Sequence, residues 1–170
     1  MIFPLSAASA RDLSYMLKNR MLDKTYLALV QGSFPEESHL KSWIKRDPDS
    51  HTSKIFDEHH KDTVPAELIC RPVRESGGYT LLEVTLLTGR THQIRAQLAA
   101  SGYPLAGDRK YGKIGWDLLN RQFLHSWKIS FPEIRSGVLQ SLSGCVFTAP
   151  LPDDLANAAA ETGLPADPYL

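Results

Sequence analysis

Apolar positions along the chain change period several times, and each change marks an element. Met1-Ile2-Phe3-Pro4-Leu5 opens as an apolar strand. Ser6 stands where a helix cap is wanted, and Leu13, Met16 and Leu17 follow at helical spacing with Arg11, Lys18 and Arg20 turned outward. The pattern predicts a helix from Ser6 to about Arg20. Lys24-Thr25-Tyr26-Leu27-Ala28-Leu29-Val30 then divides into two alternating sets, Tyr26/Ala28/Val30 and Thr25/Leu27/Leu29. Both sets are largely apolar, so the segment predicts a central strand covered on two faces and ended by Gly32. Residues 33 to 64 are polar, carry Pro35 and Pro48, and predict a loop or short edge hairpin around Trp43 and Ile44. Residues 66 to 73 and 79 to 87 predict two strands, joined by the turn sequence Glu75-Ser76-Gly77-Gly78.

The densest chemistry lies in residues 86 to 112. A strand end and the turn Thr88-Gly89 lead into Arg90-Thr91-His92-Gln93-Ile94-Arg95, which opens a helix that stops at Gly102. Thr88 or Thr91 is the expected cap, Gly102 the left-handed residue past the end, and the predicted length about three turns. At 100° per residue Ile94 and Leu98 share one side, while His92, Arg95 and Ala99 share another. Arg95 thus projects beside Ala96 and Ala99, which are small enough for a close approach. Its planar, fork-shaped guanidinium suits a carboxylate or a phosphate. Tyr103-Pro104-Leu105-Ala106-Gly107-Asp108-Arg109-Lys110-Tyr111-Gly112 follows as a loop with too many special residues to be a plain connection. Farther on, residues 113 to 122 form a connection around Trp116 with room for a short helix. Strands are predicted over 123 to 131 and 144 to 149, and Pro152-Asp153-Asp154 starts a terminal helix with acids at its N-terminus. Beyond Thr162 the composition predicts disorder.

Composition narrows the function classes. The 170 residues hold 19 Lys and Arg against 19 Asp and Glu, so the chain has no global electrostatic footprint for nucleic acid. A local asymmetry remains. Residues 90 to 128 carry seven Lys or Arg and only Asp108 and Asp117 as acids, whereas residues 147 to 170 carry four acids and no Lys or Arg. Cys70 and Cys145 show neither metal spacing nor a disulfide framework and read as small core residues. No apolar run approaches the ~20 residues that span a bilayer, and residues 1 to 5 are too short for a signal peptide's apolar region, so the expected setting is cytoplasmic. His59-His60 invites a metal reading, with Asp62 beside it, but no ligand partners stand at the usual spacings; a solvated turn is expected. No phosphate loop, HExxH helix or serine elbow is present. His92 and His125 could act as acid or base, yet neither has a chain-local carboxylate to orient it. Arg95, Tyr26 and an apolar wall are left, groups suited to holding a carboxylate and stacking a flat base.

Leu87-Thr88-Gly89-Arg90-Thr91-His92-Gln93-Ile94-Arg95, followed by Gly102, Pro104, Gly107-Asp108 and Tyr111-Gly112, closely resembles the carboxyl-half signature of the RluA-type RNA pseudouridine synthases. Residues 24 to 32 resemble the family's second motif, and Leu124-His125 with residues 147 to 152 its C-terminal strands. The resemblance implies an α+β fold: a mixed, mostly antiparallel sheet with flanking helices and an RNA cleft across it. It implies isomerisation of uridine in ribosomal or transfer RNA, with no metal or organic cofactor. In that family an aspartate attacks or deprotonates the ribose of a flipped-out uridine, and the base is released, turned and rejoined through carbon. By the match Tyr26 would stack on the uracil, Arg95 would pair with the aspartate, and Leu124 would floor the base. Arg90, His92, Arg109 and Lys110 are the expected RNA contacts. The family's His-Arg-Leu-Asp-x-x-Thr-Ser-Gly segment has no counterpart here, and Asp12 and Asp23 lack the turn that follows the family's aspartate. The expectation is therefore a partial catalytic domain over residues 1 to 160, a disordered tail over 161 to 170, and a chain inactive alone. Its edge would be open to a partner chain, and Arg95 would stand unpartnered in an open pocket with Tyr26 and Leu124. The alternative is a non-catalytic RNA-binding or interaction module derived from the same fold.

Overall fold

The computed structural model describes residues 2 to 112 and 116 to 165. Seven strands form one sheet, β1 (Asp23–Gln31), β2 (Ser38–Asp47), β3 (Thr52–Phe56), β4 (Val64–Ser76), β5 (Tyr79–Leu86), β6 (Leu124–Ser130) and β7 (Val146–Thr148), in the order β3-β2-β4-β5-β1-β6-β7. Every strand pairing is antiparallel. Helices α1 (Ala7–Lys18), α2 (Gln93–Ala100) and α3 (Asp153–Glu161) flank it. The α+β class with a mostly antiparallel sheet is the one expected.

β1 lies inside the sheet between β5 and β6, and its two alternating sets reach two different cores. Ala28 and Val30 pack with Leu82, Val84, Ile94 and Leu98 under α2, joined by the half-buried Tyr26 and Leu124. Leu27 and Leu29 pack on the other side with Phe123, Leu155, Ala158 and Ala159 under α3. A strand apolar at every position is what two covered faces require. The β4 to β5 turn places Gly77 and Gly78 at φ +58° and +79°, the left-handed pair that a two-residue hairpin needs.

Local signals decide most boundaries. Ser6 and Ser9 form a reciprocal capping box at the start of α1. α2 ends in a Schellman turn, with Gly102 at φ +88° and the Tyr103 N–H reaching the Leu98 carbonyl at 2.9 Å. Its start differs from expectation. Neither Thr88 nor Thr91 caps it; His92 occupies the cap position in a left-handed conformation, and α2 has eight residues. No side chain caps α2; the Gln93 side-chain oxygen instead ties the preceding turn, accepting from the Arg90 N–H at 3.0 Å and the Thr88 hydroxyl at 2.8 Å.

Other expectations need correction. Residues 2 to 5 are not a strand; Ile2 and Phe3 instead line an apolar groove beside β6 and β7. In segment 33 to 64 the hairpin alternative holds, at the sheet edge and with Trp43 and Ile44 in β2, but it is longer than expected and buries Ile44. Described residues 116 to 122 contain no helix. Cys145 is only half buried, while Cys70 is fully buried and burial pushes its thiol up to about 12. Thr162 and Leu164 are buried, Leu164 against the α3 core, because the chain turns back through Gly163; the rest of the expected tail, 166 to 170, lies outside the described residues.

Candidate active site

A cavity of about 290 Å³ opens between β1, β6 and the start of α2, lined by Tyr26, Leu86, Arg90, His92, Gln93, Ile94, Arg95, Gln122 and Leu124. Five of the residues singled out from the sequence, Tyr26, Arg90, His92, Arg95 and Leu124, thus meet on one wall. Strand register explains part of this. Leu124 pairs with Ala28 across β6 and β1, so it shares the α2 face with Tyr26 two residues earlier. The β1 to β6 ladder shifts between Thr25 and Tyr26, where β6 carries Trp127 as an extra residue. Such bulges re-aim neighbouring side chains, and this one lies beside Tyr26. His125 pairs with Leu27, faces the opposite side of the sheet and bonds the Ala149 carbonyl at 3.0 Å. It is not part of the site.

Arg95 is not unpartnered. Its Nε donates to Asp108 Oδ2 and its Nη2 to Asp108 Oδ1, both at 2.7 Å, with side-chain exposures of 13% and 0%. The expectation of an unpartnered arginine is therefore corrected: the cavity exists and Tyr26 and Leu124 line it, but a carboxylate of the same chain holds the guanidinium. Burial, the largest influence on Asp108, disfavours its charge. The Arg95 hydrogen bond and the Tyr111 and Lys110 backbone N–H groups outweigh it and keep the carboxyl below its usual range. Asp108 Oδ1 thus accepts from Arg95 Nη2 and the Lys110 and Tyr111 N–H groups, and Oδ2 from Arg95 Nε.

Asp108 is placed by a loop that behaves as a short extra strand. Leu105 bridges Val30, Ala106 N–H donates to Leu29 O at 2.8 Å, and Gln31 N–H donates to Pro104 O at 3.1 Å. Gly107 at φ +73° then turns the chain toward α2. Tyr111 completes the support. Its hydroxyl accepts from the Ser53 N–H at 2.7 Å and lies 3.1 Å from His92 Nδ1, and its ring centre is 5.0 Å from the Arg95 guanidinium carbon. Burial first, then Arg95 and Lys110, pushes the His92 pKa below its ordinary value, favouring the neutral imidazole.

The remaining cations are spread. Arg90 Nε donates to the Pro65 carbonyl at 3.2 Å. Arg109 and Lys110 are exposed and do not line the cavity; Lys110 Nζ donates to the His51 carbonyl at 2.6 Å. His59 and His60 pack against the rings of Trp43 and Phe56. Among the described residues no three His, Cys, Asp or Glu side chains gather as metal ligands, and no described helix is long and apolar enough to cross a membrane. Asp108 and Tyr111 stood in the quoted signature but had no role there. The signal that could have found Asp108 was a carboxylate directly after Gly107, the lone acid in a loop that follows Arg95 closely.

Comparison with known proteins identifies the family. Residues 1 to 100 match the family model for RNA pseudouridylate synthase. The chain is 42% identical over 146 residues to an uncharacterized RNA pseudouridine synthase of Chloroflexus aurantiacus, covering 85% of this chain and 44% of that protein. It is 35% identical to the ribosomal large subunit pseudouridine synthase D of Nitrosomonas europaea, covering 85% of this chain and 42% of the other. The chain therefore spans less than half the length of these curated relatives. Among solved structures, human RNA pseudouridylate synthase domain containing 1 superposes with a TM-score of 0.69 at 25% identity, over 94% of this chain and 73% of that one. Motif and fold agree with these matches, and the chain belongs to the RNA pseudouridine synthase family.

Proposed function

We propose that this chain forms the uridine-binding wall of an RNA pseudouridine synthase acting on ribosomal or transfer RNA. The observation that carries the reading is the convergence of Tyr26, Leu124 and Arg95 on one cavity of about 290 Å³, near the small end of ligand sites. A flipped-out uracil would lie on the Leu124, Leu86 and Ile94 surface with Tyr26 stacked beside it, and Arg95 would face the sugar and the attacking carboxylate. Isomerisation breaks the N1–C1′ bond and forms C5–C1′, with the C5 proton lost and N1 protonated. No Asp or Glu is among the residues lining the cavity. On this reading the 170-residue chain alone binds uridine-containing RNA without turning it over.

The test uses single-stranded RNA tritiated at carbon five of uracil. Expected are binding, at least about tenfold weaker in Tyr26→Ala for the loss of one stacked base, and no tritium release. Release by the purified chain would show that another carboxylate serves the reaction. Equal binding by Tyr26→Ala would remove the cavity from the site.

A further inference from the structure

Arg95 is held side-on. Nε and Nη2 are committed to Asp108, while Nη1 has no hydrogen-bond acceptor among the described residues, and Arg95 lines the cavity. The Tyr111 ring lies against the guanidinium at 5.0 Å. Asp108 is itself fixed, 1% exposed and bonded through Oδ1 to the N–H groups of Lys110 and Tyr111, on a loop stitched to β1. An arginine restrained in this way presents one edge in one direction, so little side-chain freedom is left to lose when a ligand arrives.

We propose that Asp108 is a positioning residue: with the Tyr111 ring beside it, it turns Arg95 so that the Nη1 edge faces the uridine cavity. The inference rests on the reading of that cavity as a uridine site. A carboxylate serving only to balance a buried charge would act on RNA in the opposite sense. Removing its negative charge would draw a polyanion more strongly, whereas loss of orientation weakens binding despite the added positive charge.

The experiment uses the isotopically labelled 170-residue chain, the Arg95 Nε–H resonance, and a short single-stranded RNA containing one uridine. In Asp108→Asn the Nε–H is expected to lose its protection from exchange, and RNA affinity to fall about tenfold, the scale of one charge-assisted hydrogen bond. The electrically neutral pair Arg95→Gln with Asp108→Asn should bind no more weakly than Arg95→Gln, because Asp108 acts through Arg95. If Asp108→Asn fails to fold, Asp108→Glu keeps the charge and displaces it by one methylene, with the same loss of affinity expected. A folded Asp108 variant that binds RNA as well as the parent, or an unchanged Arg95 resonance, would overturn the proposal. RNA that binds none of the chains, with Arg95 protected only when Asp108 is present, would sink the uridine-site reading and leave the positioning of Arg95 standing.

Discussion

His92 shows how burial changes what a residue can contribute. Its pKa is lowered first by desolvation and then by the cations Arg95 and Lys110, with Asp108 offsetting only part. The unfolded chain therefore binds a proton at this position at a higher pH than the folded one does. Stability from His92 is complete above about pH 6.5 and declines as the pH falls from there through the lower folded midpoint. A nuclear magnetic resonance titration should place His92 below 6.5, and His92→Gln should flatten the stability profile in that window. A His92 midpoint above 6.5 would contradict the packing. Arg95 was legible as a site residue because an arginine beside small helix neighbours is unusual. Its partner was not, because Asp108 lies thirteen positions away beyond a Schellman turn, and only the loop's pairing with β1 brings the two together.

Elements with their own punctuation were read well from sequence: the capped α1, the Gly-Gly hairpin, the twice-covered β1 and the glycine end of α2. Elements that depend on partners were read only in part: an edge hairpin around Trp43 and Ile44 was one expectation, but not the length of its strands. The β2 and β3 hairpin is polar in composition, and its edge is secured from outside by Tyr111 on Ser53 and by the Ser53 hydroxyl on the Thr91 carbonyl. Loop 103 to 112 depends on Gly107 in the same way. Its φ of +73° disfavours any side chain, and a Cβ there would run into the Arg121 carbonyl oxygen. Gly107→Ala is expected to destabilise the fold by about 2 to 4 kcal/mol, more than an ordinary glycine replacement, because strain and backbone collision add. Chemical denaturation measures it. A change below about 0.5 kcal/mol, the range of neutral surface substitutions, would show that the loop can shift without cost.

Across the whole molecule, part of the charge asymmetry along the chain cancels in space. Arg95 is neutralised by Asp108, and Arg121 forms a two-pronged pair with Asp154 of α3, at 2.8 and 2.9 Å, so the acidic C-terminal segment folds back onto the basic one. Lys128 lies 3.9 Å from Glu83. Counting residues along the sequence therefore overstates the cations available to phosphates. Arg109 and Lys110 remain exposed on the loop that carries Asp108, and Lys110 meets only a carbonyl. Each phosphate neutralised by a cation on single-stranded RNA contributes roughly 0.7 to the slope of log affinity against log salt. Replacing Arg109 and Lys110 together with Ala should flatten that slope by up to roughly 1.4, two such contributions. Arg121→Ala should leave it unchanged, because its charge is already spent on Asp154. Titrations of one RNA at several salt concentrations separate the two cases. An Arg121→Ala effect as large as that of Arg109 and Lys110 would mean that the phosphates follow the α3 side of the molecule, away from the cavity that Tyr26 and Arg95 line.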